Sequence, residues 1–427
     1  MNARPIALLA VCVLGAPAAA QSLGNHKAVY DRHGFLLPWT SFRTAIEREL
    51  KWYARCPVEN GYPRFLTCTF MDGQYRRIER RKDMIPAMQH GMGILSYLKA
   101  YAWTGKKDRR LLDVARTMGD YLIREASTPD TGKYPLFPRS TGKAGALPQP
   151  EDCGCQADRP YEIQPDKGGI AGYALWLLGE ETKERRYSDR AVHIARVLAA
   201  NMRAGDATHS PWPFRADFRT GEPRGDVSAN MSYILRLFDR LLAAGYSEFA
   251  EPRAKLWDWI DRLQIPNAKG DGRLWTQFFE DYALLTNRNA WSPLNLARYL
   301  LEARDTLDPR WREDAKTLID FVIANFTSIR DGVPVCGEQD DDKDPWGGVL
   351  SNYGGVLALY AAAMDDPRYK GLAYQALTYC MYAIDDDGCP GQIASRGRLR
   401  GGWQEDAHTD VIHNFMDAFR AFPEWGR

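Results

Sequence analysis

Two acidic stretches of the sequence could supply carboxyl groups for proton transfer. CGEQDDDKDPWGGVLSNYGG spans residues 336 to 355, and GGWQEDAHTD spans residues 401 to 410. General acid and base catalysis needs one group that carries a proton and one that accepts a proton, and Asp, Glu and His side chains commonly fill these roles. The candidate catalytic residues are therefore Glu338, Asp341, Glu405, Asp406 and His408. Glu338 or Asp341 is expected to face Glu405 or Asp406, and the stretch that contains Glu280 and Asp281 is a third source of carboxylates.

Other interpretations of these stretches stay open. A run of like charges commonly faces water, so the first stretch could be a solvated turn. Glu405 and Asp406 could cap the N-terminus of a helix, where carboxylates are favoured whatever the function. A calcium loop is a third possibility, but Pro345 and Ser351 stand where an EF-hand needs Gly and Glu, which leaves only an irregular site. We therefore predict no metal or cofactor.

Aromatic residues and arginines are common in the same polar stretches. A concave site for a polar ligand combines apolar and aromatic faces with a few well placed polar groups. Each tryptophan could instead be a packing residue, because indoles are common core anchors. The candidate binding residues are Trp212, Trp275, Trp291, Trp346, Trp403, Tyr161, Tyr353, Arg76 and Arg159.

An internal repeat organises the chain. Five similar segments begin at His90, Lys167, Ser228, Trp291 and Ser351. The first half of each is apolar on nearly all sides, and the second half has one charged stripe. A helix that is apolar all round must be buried, and an amphipathic helix can cover it. Each segment is therefore predicted to be a helical hairpin.

A further helix near residues 41 to 53 and one near residues 406 to 419 bring the predicted total to about twelve, which closes into a ring of six hairpins. Long polar stretches, at residues 127–165, 205–226, 265–289, 327–349 and 386–405, connect the hairpins. Loops of this length are uncommon unless they are functional. Because each one follows an outer helix and leads into an inner helix, all should emerge at the same end of the ring.

The N-terminus reads as a secretory signal. MNARPIALLAVCVLGAPAAAQ has a basic start, an apolar segment and small residues before Gln21, so residues 1 to 20 are predicted to be removed and residues 21 to 427 to form one domain. The net charge of +1 and the mixing of both signs give no reason to expect nucleic acid as a partner. No later segment is apolar over the length needed to span a bilayer. The oligomeric state is left open.

Seven cysteines follow the signal segment, in a compartment where disulfides persist. Cys56 with Cys68 and Cys380 with Cys389 are local pairs that could staple loops, although spacing does not determine connectivity. Cys153 and Cys155 lack the further ligands of a closed zinc site.

The repeat, the signal segment and the long loops together resemble the (α/α)6-toroid, or six-hairpin, carbohydrate-active enzymes. The resemblance covers the mature chain and is architectural, so no catalytic residue transfers by alignment. It implies an all-α toroid with long loops on one face and an oligosaccharide or polysaccharide as substrate. Hydrolysis of a glycosidic bond uses two carboxyl groups that flank the bond. The main expectation is therefore a secreted glycoside hydrolase that acts on a saccharide, and an acidic saccharide is one of the options.

Two alternatives remain. A polysaccharide lyase or uronate epimerase would use Tyr or His as base and Arg or Asn to hold a carboxylate. Tyr353, His408, Asn352 and Asn289 are the candidates for those roles. The other alternative is a toroid that binds glycans without catalysis, which would not need two carboxyl groups facing each other across a cavity.

Overall fold

A computed structural model describes residues 22–54, 58–59, 62–63, 86–140, 161–278, 286–394, 397–399 and 408–427. In these residues twelve helices have ten residues or more, and every sheet is small. The helices are α1 Phe42–Ala54, α2 Pro86–Trp103, α3 Arg109–Arg124, α4 Pro165–Thr182, α5 Arg185–Ala200, α6 Ser232–Ala243, α7 Ala250–Trp259, α8 Trp291–Ala303, α9 Trp311–Phe326, α10 Gly347–Met364, α11 Pro367–Met381 and α12 His408–Ala421. A π-helical segment, Ile260–Gln264, continues α7.

Six of these helices form a closed inner ring. In ring order they are α2, α4, α6, α8, α10 and α12, each packs against the next, and α12 packs against α2. These helices are buried on most sides, whereas α3 and α5 keep an exposed charged stripe. The outer helices α3, α5, α7, α9 and α11 each pack on the inner helix that precedes them. The predicted all-α toroid of six hairpins is confirmed.

The sixth hairpin joins the two ends of the chain. The ring of Phe42 in α1 lies 5.4 Å from the ring of Phe415 in α12 and 6.0 Å from that of Trp425 near the C-terminus. Helix α1 also packs against the outer helices α3 and α11. The first helix therefore acts as the outer partner of the last inner helix, and the circle closes through contacts distant in sequence.

Close packing between inner helices depends on small residues. A Cβ on Gly355 of α10 would lie 2.9 Å from the backbone oxygen of Asn414 in α12. Real Cβ atoms essentially never come this close to another heavy atom, so only glycine allows α10 and α12 to approach to this distance. The apolar halves of the repeat are rich in glycine for this reason.

The inner helices all point in the same direction, because a short turn connects each one to its outer partner. Their N-terminal ends receive the long connections, and we call this the long-loop end; the other is the short-turn end. The connections contact one another. Residue 289, before α8, forms an isolated bridge with residue 339, before α10. A three-stranded sheet joins the connection before α4 to the connection before α6. The convergence of the long loops is thus observed among the described residues.

The strands are short and lie in these connections and near the N-terminus. They are β1 Ser22–Leu23, β2 His26–Lys27, β3 Val29–Tyr30, β4 Leu36–Leu37, β5 Val58–Glu59, β6 Tyr62–Pro63, β7 Glu162–Ile163, β8 Arg215–Asp217, β9 Pro223–Arg224, β10 Thr327–Arg330, β11 Val333–Cys336, β12 Gln392–Ala394 and β13 Gly397–Leu399. All pairs are antiparallel. The β10 and β11 hairpin leads directly into the first acidic stretch.

Two sequence expectations about the chain as a whole can be compared with the structure. No helix in the described ranges is long and apolar enough to cross a membrane. The Cys380–Cys389 staple is wrong: both thiols are buried, and their sulfur atoms lie near different backbone oxygens, 3.6 Å from Gly347 and 3.7 Å from Pro390. Cys56, Cys68, Cys153 and Cys155 lie outside the described residues.

Candidate functional site

Two carboxylates of the first acidic stretch are held by arginines. Arg288 donates two side-chain hydrogen bonds to Asp340, each 2.9 Å long, and its backbone N–H donates a third. These bonds lower the pKa of Asp340 against the opposing effect of its partial burial. Arg330 lies 2.8 Å from the carboxylate of Asp344. Both carboxylates therefore anchor this loop to its neighbours.

The middle of the stretch is a turn. Asp342 accepts a 2.9 Å bond from the backbone N–H of Asp344 and a 2.8 Å bond from the indole N–H of Trp346. Asp341 is exposed at the tip. The solvated-turn interpretation thus describes the middle of the stretch.

Glu338 has a different environment. Its carboxylate accepts a 3.0 Å hydrogen bond from the indole N–H of Trp291, the first residue of α8. Its backbone carbonyl accepts from the N–H of Ala290, also at 3.0 Å. Glu338 is half-buried. It therefore lies at the long-loop end, directly at the N-terminus of an inner helix.

A buried ion pair lies at the same end of α4. Lys167 Nζ is 2.8 Å from Asp166 Oδ2, and both side chains are inaccessible to solvent. Lys167 also donates to the carbonyl of Phe278 at 2.6 Å and lies 3.8 Å from the centre of the Phe278 ring. Burial raises the pKa of Asp166, and the Lys167 ammonium opposes this rise. The pair ties α4 to the connection before α8.

Asp410 is another buried carboxyl group at the long-loop end. It lies in the first turn of α12, on the same face as Asn414 and Asp417, four and seven residues later. Asn414 and Asp417 both contact Arg298 of α8, which is not a neighbour of α12 in the ring, so this face points into the ring interior. Asp410 is therefore directed at the centre of the toroid.

The environment of Asp410 favours its protonated form. Burial raises the pKa of Asp410 to about 7, and the positive charge of Arg298 opposes the rise. Its Oδ1 atom is buried and has no hydrogen-bond partner among the described residues. Tyr233, on the opposite inner helix α6, is close enough to respond to the Asp410 charge, and burial raises the pKa of Tyr233 to about 12. A protonated carboxyl here can donate a proton near neutral pH.

Most of the predicted aromatic platforms are packing residues. Trp212 is fully buried and donates its indole N–H to the carbonyl of Leu198 at 3.0 Å. Trp275 is also fully buried, with its ring 6.3 Å from that of Phe321 in the outer helix α9. The prediction that these two indoles offer a face to a ligand is wrong, because the outer layer of the toroid covers them.

Two further predicted tryptophans are nearly buried but lie at the long-loop end. Trp291 and Trp346 are 6% and 7% exposed, and they flank Glu338 and Asp342 through the hydrogen bonds given above. Tyr161 is half-buried, and the guanidinium of Arg219 covers its ring at 3.6 Å. These three aromatic residues form part of the wall of the long-loop end.

The lyase roles proposed for three residues do not fit their surroundings. Tyr353 is buried, and burial raises the pKa of its hydroxyl group well above the ordinary value, which makes it a poor base. Asn289 accepts a 2.9 Å bond from the N–H of Ser292 and so caps the start of α8. Asn352 accepts a 2.8 Å bond from Arg298 inside the ring. Tyr353 is thus a buried side chain, and the two asparagines are engaged in hydrogen bonds within the protein.

Arginines of the connection before α6 are also engaged within the protein. Arg224 donates to both oxygens of Glu162, with a 2.6 Å bond to one of them. Arg215 is fully buried, 4.0 Å from the same carboxylate. These arginines hold the three-stranded sheet together, so they do not form a free cationic rim for an acidic substrate.

Several predicted site residues lie outside the described residues. They are Arg76, Arg159, Trp403, Glu405 and Asp406, together with the side chain of His408, whose backbone begins α12. Glu280 and Asp281 also lie outside. Among the described residues there is no group of three or more side chains suited to hold a metal ion.

Asp410, Asp166 and Lys167 were not selected from the sequence as site residues. All three occur within stretches recognised as leading into inner helices. The signal that could have identified them is a polar residue in an otherwise apolar inner helix. In α12 the i, i+4, i+7 spacing of Asp410, Asn414 and Asp417 marks one polar face.

Comparison with solved structures places this architecture among known toroids. The structure of cellobiose 2-epimerase from Spirochaeta thermophila has a TM-score of 0.61 and 12% identity over 88% of this chain and 94% of its own. A D-mannose isomerase has a TM-score of 0.63 and 12% identity over 88% of this chain and 96% of its own. A family 76 glycoside hydrolase from a bovine Bacteroides thetaiotaomicron strain has a TM-score of 0.61 and 10% identity over 90% of this chain and 78% of its own.

These similarities show a shared fold. No protein-family model matches the sequence, and a search of curated protein sequences finds no match. The structures that share the fold include a hydrolase, an epimerase and an isomerase. A fold that supports several reactions does not name one, so the reaction must be argued from the site.

Proposed function

We propose that this protein is a glycoside hydrolase that cleaves a saccharide at the long-loop end of the toroid, with Asp410 as the general acid. The observation that carries the proposal is the position of Asp410: an inward-facing carboxyl group, buried near the mouth of the ring, where burial raises its pKa to about 7. Glycosidic hydrolysis requires one carboxyl group of this kind.

Glu338 is the proposed second carboxylate. It lies at the N-terminus of α8, two positions from α12 in the ring, and holds its orientation through the indole of Trp291. In hydrolysis Asp410 gives its proton to the oxygen of the leaving sugar as the C–O bond breaks. Glu338 then either takes a proton from the attacking water or attacks the anomeric carbon itself, depending on the separation of the two carboxyl groups. Glu405 and Asp406 are alternative candidates for this role.

The first experiment identifies the reaction. The mature protein is incubated with a panel of neutral and acidic oligosaccharides, and the products are followed by mass spectrometry, reducing-end formation and absorbance near 235 nm. Hydrolysis adds one water per bond broken and produces no unsaturated chromophore. Elimination produces new reducing ends together with the chromophore. An epimerase or isomerase changes neither the mass nor the number of reducing ends.

The second experiment tests the assignment of the acid. On the substrate found above, Asp410→Asn should lower kcat by about 10²-fold to 10⁴-fold, the range that general acid catalysis contributes. Asp341→Asn is the matched control, because Asp341 is exposed at the tip of its loop, and it should leave kcat near the wild-type value. Glu338→Gln, Glu405→Gln and Asp406→Asn rank the candidates for the second carboxylate. Wild-type kcat for Asp410→Asn would exclude Asp410 as the acid.

Sugar epimerisation is the second candidate, because an epimerase and an isomerase share the fold. A base near the long-loop end would then move a proton on carbon. Two histidines with described side chains are poorly placed for this. His90 stacks on Tyr121 of the outer helix α3 with ring centres 4.9 Å apart, and burial lowers its pKa to about 3. His413 contacts Lys99 towards the short-turn end. This candidate therefore depends on His408.

Export is part of the proposal. The apolar segment and small residues before Gln21 motivate it. When the full chain is expressed in a Gram-negative host, the protein in the periplasmic fraction should begin at Gln21, as N-terminal sequencing would show. Recovery of the uncleaved chain from the cytosol would contradict it.

A further inference from the structure

A cavity of about 450 Å³ lies inside the ring, and most of its lining belongs to the half of the ring towards the short-turn end. Most of its described lining residues belong to the middle and C-terminal parts of the inner helices, and Tyr233, the second residue of α6, extends the lining towards the long-loop end. Leu95, Leu98 and Leu177 form an apolar side, and Tyr173 adds an aromatic surface. The volume falls within the range of small-molecule sites, which are mostly apolar with a few polar groups.

The other side of the cavity carries charges in a shared network. Arg236 lies 2.6 Å from Glu302, and Arg420 lies 3.0 Å from the same carboxylate. Lys99 and Arg298 lie 2.6 Å and 3.0 Å from Asp417, which stands behind the lining. Glu302 and Asp417 therefore each form ion pairs with more than one cation.

The rim contributes two more ion pairs. Arg240 pairs with Glu180, and Lys106 lies 2.8 Å from Glu181. Within the described residues the whole cluster thus holds six cations, Lys99, Lys106, Arg236, Arg240, Arg298 and Arg420, and four carboxylates, Glu180, Glu181, Glu302 and Asp417. The excess of cations gives the cavity a positive potential that favours an anion.

The cavity lining also contains buried polar atoms that a ligand could satisfy. Arg236 Nε and His413 Nδ1 are buried and have no hydrogen-bond partner among the described residues. Both residues line the cavity, and they are 6% and 4% exposed. An unpaired buried polar group is costly, so an incoming acceptor at Arg236 would recover a lost hydrogen bond.

We propose that this cavity binds a small organic carboxylate about the size of a monosaccharide. The ligand carboxylate contacts Arg236 and its neighbouring cations, and the carbon skeleton lies on Leu95, Leu98 and Leu177. The planar guanidinium group suits a carboxylate because it can donate two parallel hydrogen bonds. Neither Asp410 nor Glu338 lines this cavity, although its lining residues Tyr233 and Arg298 interact electrostatically with Asp410. Binding here does not require that the protein be a hydrolase.

Two matched sugars test the proposal by isothermal titration calorimetry on the mature protein. D-glucuronate and D-glucose share a ring and differ in the carboxylate, so glucuronate should bind at least about tenfold more tightly, as expected for charge-assisted hydrogen bonds. Equal affinities, or no binding of glucuronate, would overturn the proposal.

Variants locate the binding. Leu98→Trp fills the apolar side, and Arg240→Glu reverses a charge at the rim; each should weaken glucuronate binding by about tenfold or more. Arg196→Glu is the matched control, because Arg196 is an exposed arginine paired with Glu248 on the outer surface, and it should bind like the wild type.

A variant at the other end separates the two sites. At pH 5, where Asp410 of the wild type is protonated and Asn is its neutral equivalent, Asp410→Asn should keep the wild-type affinity for glucuronate, since Asp410 does not line this cavity. If glucuronate binding is lost in Asp410→Asn and kept in Leu98→Trp, the ligand occupies the long-loop end and the proposed cavity site is wrong.

Discussion

Arg298 Nε, on the fourth inner helix, lies 3.0 Å from Asp417 Oδ2, on the sixth. Both side chains are buried, and the same guanidinium donates to Asn352 on the fifth inner helix at 2.8 Å. One arginine therefore connects three helices across the interior of the toroid. A buried ion pair of this kind adds little net stability by itself, but loss of one partner leaves an expensive unpaired charge or unsatisfied polar groups.

Replacement of this arginine should destabilise the fold. Arg298→Met removes one of the cations paired with Asp417, which keeps Lys99 at 2.6 Å and Arg420 at 3.5 Å, and it removes the donor to Asn352. We expect a loss of about 3 kcal/mol in the free energy of unfolding. Urea denaturation measures this loss. Arg196→Met, at an exposed surface pair, should change stability by less than about 1 kcal/mol. The double variant Arg298→Met/Asp417→Leu should be less destabilised than the sum of the two single variants, and simple additivity would contradict the coupling.

The pKa of Asp410 predicts a pH dependence of stability. Its pKa is raised in the folded state, from an ordinary 3.8 to about 7, so the folded protein binds the proton more tightly than the unfolded chain between these values. Stability should therefore fall as pH rises from about 4 to about 7, by on the order of 4 kcal/mol from this group. Asp410→Asn cannot ionise and should lack this component.

The measurement compares wild type with Asp410→Asn in urea at pH 5 and pH 8. The stability of the variant relative to wild type should increase with pH. Asp314 also has a pKa raised to about 7, mainly by burial, but it is present in both proteins and cancels in the difference. A constant difference across this pH range would show that Asp410 is ionised throughout.

The same group predicts a limit on catalysis. A general acid works only while it holds its proton, so kcat/KM of the wild type should fall as pH rises above about 7. The residual activity of Asp410→Asn should not show this limb. Steady-state rates on the substrate found in the saccharide screen, measured from pH 5 to pH 9, provide the comparison. An unchanged limb in the variant would assign it to another group.

Two glycines in helices should respond in opposite ways to alanine. In Gly355→Ala the new methyl group would lie 2.9 Å from the backbone oxygen of Asn414, so α10 and α12 must separate, and we expect a loss of about 1 to 3 kcal/mol. Gly371→Ala, in the exposed face of α11, meets no atom within 4 Å and should stabilise the protein by about 0.5 to 1 kcal/mol. Thermal or urea unfolding of both variants gives the comparison, and a stable Gly355→Ala would show that the helices are not in close contact there.

The acidic stretch shows where a local pattern is insufficient. Its composition predicted a catalytic wall and a solvated turn about equally well. In the structure Asp340 and Asp344 pair with Arg288 and Arg330, residues that lie before and after other helices, and Glu338 alone among the two acids selected from this stretch reaches an inner helix. No pattern within the stretch distinguishes these partners, because each is brought there by a different part of the ring.

The periodicity of the repeat predicted the helices and their division into buried and half-exposed layers, because the local spacing of apolar residues determines which sides of a helix are buried. The order of inner and outer helices along the chain then predicted the end at which the long connections emerge. Only the closed ring decided which polar residues meet. Asp410 becomes a buried acid because α12 packs between α10 and α2, and Trp212 and Trp275 become core residues because the outer layer covers them. The pKa and the accessibility of a side chain depend on neighbours from distant parts of the chain, and these neighbours exist only once the circle is closed.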